Sequence, residues 1–239
     1  MKSIKPLQRL VVLGISALVV IIIAVIVYFY FSPKDSLYLN FSDKQNLQKF
    51  VSKKNGAIYG EPKFVKESIG AALDFDGKSY LDCGSSDRLI DVLENVTIEA
   101  WIKPEKVLSS QSDTVIVMKG NYIFGLTRDE RAGTSDVVLG YINSGSNHVK
   151  AYIVQEQWNH VVLVHDRNLP NKNIKIYING VIRGESDYNE PVLANVDRIF
   201  VGGDGKNNFN GLIGNVKIYN KAMTEEEVKN AAKYYKPGK

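Results

Sequence analysis

From Ser36 onward, apolar and polar residues alternate with a period of two, the pattern of strands that bury one face. In Ser36–Phe41, Leu37, Leu39 and Phe41 fall on one side. Ala71–Phe75 and Tyr80–Cys83 flank a turn at Asp76-Gly77, and Val96, Ile98, Ala100 and Ile102 share a face of the next run. The same pattern predicts strands over 114–118, 122–127, 137–142, 148–153, 158–164, 174–178, 181–184, 198–201 and 212–219. Asn179-Gly180 separates two of these runs by two residues. That spacing predicts a type I′ hairpin, because both turn positions need positive φ. One helix is expected at the end: Thr224-Glu-Glu-Glu227 is a capping box, Val228, Ala231, Ala232 and Tyr235 form a stripe, and Pro237-Gly238 stops it. Many short strands with alternating faces predict an all-β domain over residues 36–239, an antiparallel sandwich or barrel.

The N-terminal segment has a different pattern. Leu10 to Phe31 holds no charged residue and no proline. As a helix it extends about 33 Å at roughly 1.5 Å per residue, enough to cross a hydrocarbon core of about 30 Å. A cleaved signal sequence has a shorter apolar core and small residues at its cleavage site. Here the run ends in Tyr28-Phe-Tyr-Phe31, and aromatic rings fit the membrane interface. Lys2, Lys5 and Arg9 precede the span, so the positive-inside rule places residues 1–9 in the cytoplasm. The expected organisation is a cytoplasmic N-terminus (1–9), a transmembrane helix contacting lipid (10–31), a link (32–35) and an extracellular domain (36–239).

Charge agrees with this division. The net charge of +4 is carried by Lys2, Lys5, Arg9 and Lys34, which leaves 26 basic and 26 acidic residues in the remainder. A balanced domain lacks the basic excess that nucleic acid requires. The single cysteine, Cys83, shares a strand face with Leu81 and is expected as a buried small hydrophobe. His160 and His165, five residues apart on one strand, face opposite sides and share no metal within that strand.

Six segments in order resemble the laminin-G-like jelly rolls of the concanavalin-A-like lectin/glucanase superfamily. They are Ala72-Leu-Asp-Phe-Asp-Gly77, Val96-Thr-Ile-Glu-Ala-Trp-Ile-Lys-Pro104, Trp158-Asn-His-Val-Val-Leu-Val164, Ile176-Tyr-Ile-Asn-Gly180, Val201-Gly-Gly203 and Phe209-Asn-Gly-Leu-Ile-Gly-Asn-Val-Lys-Ile-Tyr-Asn220. The resemblance implies two antiparallel sheets and, in many members, rim calcium held by an aspartate in a Gly-x-Ile-Asp-Glu-Val pattern. Here Gly214 replaces the aspartate and Asn215 the glutamate, and a second family aspartate falls near Phe50-Val-Ser52, where no acid stands. Calcium needs several oxygen ligands, so the usual site is depleted. No other cofactor is expected. The glucanases carry a Glu-x-Asp-x-x-Glu triplet on one strand, and no catalytic pair of that kind is expected here. Glu99 is alone on its strand, Glu225–Glu227 belong to a helix cap, and Asp129-Glu130 lie in a loop.

Two places have the residues for ligand binding. Trp101 shares a strand face with Glu99, either as a sugar-stacking ring beside an acceptor or as packed core beside a rim acid. The stretch Gly202–Gly211 crowds Asp204, Asn207, Asn208 and Asn210 around Phe209. Such residues satisfy turn backbones through their own side chains. Alternatively they form a polar rim site with Phe209 as a stacking platform. Asn40-Phe-Ser42 and Asn95-Val-Thr97 are N-glycosylation sequons. The expected function is a non-catalytic, membrane-anchored surface module for adhesion to carbohydrate or another surface protein, with homo-oligomers open. The alternatives are a structural subunit of an envelope, pilus-like or virion assembly, and a glycoside hydrolase with an unrecognised site.

Overall fold

In the computed structural model the described residues are 36–85, 95–105, 113–120, 122–128, 136–142, 148–188, 190 and 198–233. The expected anchor at 10–31, its flanks 1–9 and 32–35, the Asp129-Glu130 loop, Tyr235 and Pro237-Gly238 lie outside them. Among the described residues no helix is long and apolar enough to cross a membrane.

In chain order the elements are β1 (Ser36–Leu39), α1 (Lys44–Lys53), β2 (Ala57–Tyr59), β3 (Lys63–Glu67), β4 (Gly70–Asp76), β5 (Tyr80–Ser85), β6 (Asn95–Pro104), β7 (Thr114–Lys119) and β8 (Tyr122–Arg128). They continue with β9 (Asp136–Ile142), β10 (His148–Tyr152), β11 (Asn159–Asp166), β12 (Ile174–Ile178), β13 (Val181–Ser186), β14 (Arg198–Val201), β15 (Asn210–Tyr219) and α2 (Glu225–Lys233). Sheet A has the order β13-β12-β11-β6-β15-β4-β3, with β1 also paired to β15, and sheet B the order β10-β9-β8-β7-β14-β5-β2. The ladders are antiparallel. The expected all-β two-sheet antiparallel sandwich with a short C-terminal helix is therefore the architecture observed.

The core lies between the sheets and is set by strand parity. Val96, Ile98, Ala100 and Ile102 of β6 face Tyr122, Phe124 and Leu126 of β8 and their neighbours within one buried cluster. The outer face of sheet A is also covered. Val228 of α2 and Met223 pack on Val162, Val164 and Tyr177. Thr224 caps α2, with the Glu227 N–H donating to Thr224 Oγ1 and the Thr224 N–H to Glu227 Oε2. The Asn179-Gly180 hairpin turn has φ of 53° and 80°, as a type I′ turn requires.

Three elements depart from the sequence expectation. The stretch 44–53, which the alternating pattern left among strands, is the helix α1. Asp43 caps it by accepting from the N–H groups of Gln45 and Asn46, and Leu47 and Val51 reach the core. The short edge strands β2 and β3 were also not expected. They carry few fully buried residues, so their alternation is weak.

The register fixes which loops share an end of the sandwich. Ser36 pairs with Tyr219, and Tyr219 with Thr97. At the other end of β15, Asn210 pairs with Asp76, nine residues or about 30 Å away at the strand rise. The chain thus enters the domain at the end opposite the 202–210 loop.

Candidate binding surface

The 202–210 loop is held by turn chemistry. Asp204 Oδ1 accepts from the N–H groups of Lys206 and Asn207 at 2.8 and 2.7 Å, and Asn207 Nδ2 donates to Asp204 Oδ2 at 3.1 Å. Burial pushes the Asp204 carboxyl up, but these hydrogen bonds outweigh it and leave the group below its usual range. Asn208 Oδ1 accepts from Gly205 N–H, and Asn210 Nδ2 donates to Glu105 Oε2. Val115 N–H donates to Asn207 C=O, and Gly77 N–H to Phe209 C=O. Both flanks are therefore fixed to neighbouring strands. Phe209 corrects the expectation of a stacking platform. Its ring is fully buried in the core cluster, because β15 begins one residue later and the preceding side chain turns between the sheets.

Trp101 and Glu99 do share a face, but neither is open. Glu99 is 2% exposed. Lys217 Nζ donates to its Oε1 at 2.9 Å and Tyr219 Oη to its Oε2 at 3.1 Å, while His160 Nε2 lies 3.3 Å from Oε1. Burial favours the neutral acid, but the His160 imidazole and the Lys217 ammonium outweigh it and hold the carboxyl at about 2. Trp101 packs with Ala72 and Trp158, its ring 4.7 Å from that of His160. The pair belongs to the packed outer layer of sheet A. Directly opposite Glu99 on the flanking strands stand Val162 and Lys217. A retaining glycosidase needs a second carboxyl about 5–5.5 Å away, and neither residue opposite Glu99 is an acid.

The exposed aromatic surface lies on the outer face of sheet B, at the same end as the 202–210 loop. Inward Leu81 and Cys83 set the parity of β5 and turn Tyr80 and Asp82 outward; inward Ile199 and Val201 do the same for Phe200. Tyr59 and Tyr80, opposite one another on β2 and β5, stack with centroids 4.5 Å apart and an interplanar angle of 11°. Phe200 continues the row, 6.2 Å from Tyr80. Tyr59 is 44% exposed. Burial, then the neighbouring Tyr59, Asp82 and Asp204, raise the Tyr80 hydroxyl, and a Cβ built on Gly205 of the loop would lie 3.3 Å from that hydroxyl. Beneath the row, Arg198 Nε donates to both oxygens of Asp82 at 2.7 and 2.9 Å, tying β14 to β5. The sequence reading passed over Tyr59, Tyr80 and Phe200; the available signal was an aromatic at the solvent-facing parity of three neighbouring strands.

The remaining expected positions are placed as follows. Asn40 is exposed, its Oδ1 accepting from Ser42 N–H. Asn95 is half-buried and accepts from Arg167 N–H. Cys83 is buried, which pushes its thiol up to about 12. His160 and His165 face opposite sides of sheet A, His160 against Trp101 and His165 against Tyr188. Gly214 lies within a β-bulge between Ile213 and Val216. A Cβ there meets Ile69 Cδ1 at 2.5 Å and Trp101 Cβ at 3.1 Å, so an aspartate at this position requires both neighbours to give way. Phe50-Val-Ser52 falls inside α1. Among the described residues no three His, Cys, Asp or Glu side chains gather as a metal site. The residues at the usual calcium positions do not fit that ion.

An antiparallel two-sheet sandwich with rim loops over an aromatic sheet face is the lectin-type architecture. The chain belongs to the Concanavalin A-like lectin/glucanases superfamily: that family's laminin G model matches residues 75–229. It is 25% identical over 195 residues to the adhesion G-protein coupled receptor V1 of Danio rerio, a match spanning 72% of this chain and 3% of that receptor. It is similar to domain 4 of AbnA, a GH43 extracellular arabinanase of Geobacillus stearothermophilus solved with arabinotriose. There the TM-score is 0.56 at 20% identity, covering 82% of this chain and 96% of that one. The binding domain of botulinum neurotoxin DC, solved with SialylT, gives a TM-score of 0.55 at 15% identity over 76% of this chain and 46% of that one. At these identities the solved structures establish the fold.

Proposed function

We propose that the domain is a non-catalytic glycan-binding module of the cell surface, held at the membrane by residues 10–31. The observation that carries this reading is the parallel, stacked Tyr59–Tyr80 pair, with the Asp204 turn beside it at Gly205. A sugar presents an apolar C–H face that packs on an aromatic ring and hydroxyls that need acceptors, so an exposed ring pair with a fixed carboxylate meets both requirements. The ring pair is held by a β-ladder and the carboxylate by its own turn, which leaves little ordering cost on binding. Similarity to an arabinanase domain solved with arabinotriose supports the ligand class. A glycan array probed with the domain, followed by calorimetry of the hits for Tyr59→Ala, tests the reading. Loss of binding at unchanged stability is expected; binding indifferent to Tyr59 removes the platform.

A second reading, contact with another surface protein, is favoured by a different place. Three exposed apolar side chains, Tyr152, Val154 and Val181, line one groove of about 410 Å³ together with Arg183. Tyrosine and arginine are enriched at interface hot spots. Crosslinking at Tyr152 on intact cells tests it, and a Tyr152→Ser variant is expected to lose the adduct.

A further inference from the structure

A cavity of about 590 Å³ lies beside the aromatic platform. Its wall is the connector that follows Tyr59 directly, from Gly60 to Lys63, and its opposite side is the first turn of α1. Half-buried Ile58, Pro62 and Phe64 supply apolar lining, and Ile58 and Phe64 also pack on the core. Lys44 and Lys63 both line the space, with Gln48 and Glu61.

Neither lysine has an ion-pair partner among the described residues. The ion pairs among the described residues use other side chains, and none within 4 Å joins Lys44 or Lys63 to an acid. Lys44 also stands at the wrong end of its helix. It is the first residue of α1, whose first turn contains no acid, so its charge opposes the positive end of the helix dipole. Asp43 is engaged with the N–H groups of Gln45 and Asn46. A residue placed against a local preference is a candidate functional position.

We infer that this cavity receives an anionic sugar unit, its carboxylate or sulfate placed between Lys44 and Lys63 and its ring against Pro62 and Phe64. The cavity volume is that of a small-ligand pocket, about 300–1,000 Å³. Ammonium groups on flexible stems serve as point charges without a fixed bidentate geometry, so either anion is accepted. The inference rests on the glycan reading and narrows it: the platform stacks one ring of an oligosaccharide, and the cavity reads the charge of a neighbouring one.

The test uses the full chain in neutral detergent with its lysines carbon-13 dimethylated, which preserves their charge; Lys44→Arg and Lys63→Arg assign the two signals. Galactose, galacturonate and galactose sulfate are titrated as monosaccharides, then as tetramers. The Lys44 and Lys63 signals are expected to move with both acids and not with galactose, the two acids showing which anion is preferred. The acidic tetramers are expected to bind roughly tenfold tighter than the neutral one at low salt, an advantage lost at about 0.5 M salt and in the Lys44→Gln/Lys63→Gln variant. Equal affinities, or lysine signals that stay still, overturn the inference. If the lysines are silent while Tyr59-dependent binding of the neutral tetramer persists, the cavity fails and the glycan reading stands. If the lysines respond while Tyr59→Ala changes nothing, the platform fails and the cavity stands. Silence of both overturns both.

Discussion

Replacing Lys217 with Met isolates the electrostatic role of the outer layer of sheet A. In the intact domain Glu99 is almost fully buried yet ionised, held at about 2 against an ordinary 4.5. That difference corresponds to about 3 kcal/mol at neutral pH. The sign follows from proton binding. The unfolded chain takes up the proton first as pH falls, so this stability is complete above 4.5 and is lost as pH drops towards 2. Lys217→Met keeps the stem over the strand and removes the ammonium 2.9 Å from Oε1. Breaking a buried pair typically costs about 3–5 kcal/mol. Lys217 is 31% exposed, which puts this case at or below the lower end, about 2–3 kcal/mol. The assay is urea unfolding followed by fluorescence, since Trp101 and Trp158 pack beside the cluster. At pH 7 the variant's midpoint falls with an unchanged slope. Without the ammonium, the variant's Glu99 takes up its proton at higher pH than the wild type's, so the gap between the two narrows at pH 3. A gap of equal size at both pH values refutes the reasoning, because lost packing does not titrate.

The remaining predictions address other parts of the domain. His165 is buried against Tyr188, and burial, then the Arg167 charge, lower it from 6.5 to about 4. Folding therefore keeps it neutral, and stability falls by about 3 kcal/mol as pH drops from 6.5 towards 4, a slope that His165→Gln flattens in the same urea titration. Gly214→Asp restores the acid of the calcium-binding pattern but overpacks Ile69 and Trp101. It is expected to cost about 1–3 kcal/mol, and a melting temperature that rises when calcium is added to the variant overturns the packing argument. Asp204→Ala removes three hydrogen bonds within one turn. It is expected to raise amide exchange at Lys206 and Asn207 and to lower stability by roughly 1–2 kcal/mol.

The strands and hairpins were legible because burial imposed a period of two on them. Val96–Ile102 and Asn179-Gly180 each contain their whole signal within a few residues, and both appear where expected. Helix α1 was hidden because its two buried residues, Leu47 and Val51, are too few to outweigh the alternation that precedes them. At the candidate site, the turn chemistry of Asp204 and Asn207 is local and readable. The platform is not local: Tyr59, Tyr80 and Phe200 come from three strands, and only the β2–β5 and β5–β14 registers bring them together. Phe209 shows the converse. Among polar residues it reads as an exposed ring, and only the packing of β15 turns it inward. Gly214 is explained by a bulge and a neighbouring tryptophan that no single stretch of sequence contains.

The most direct measurement of the glycan claim is calorimetric titration of the strongest array ligand into the wild-type chain, the Tyr59→Ala variant and the Tyr80→Ala variant. Each variant's unfolding midpoint is recorded alongside. A saccharide that binds the wild type, with affinity reduced at least about tenfold by Tyr59→Ala while stability moves by no more than about 0.5 kcal/mol, is the predicted result. A wild-type chain that binds no saccharide on the array, or a bound saccharide indifferent to both tyrosines, contradicts it.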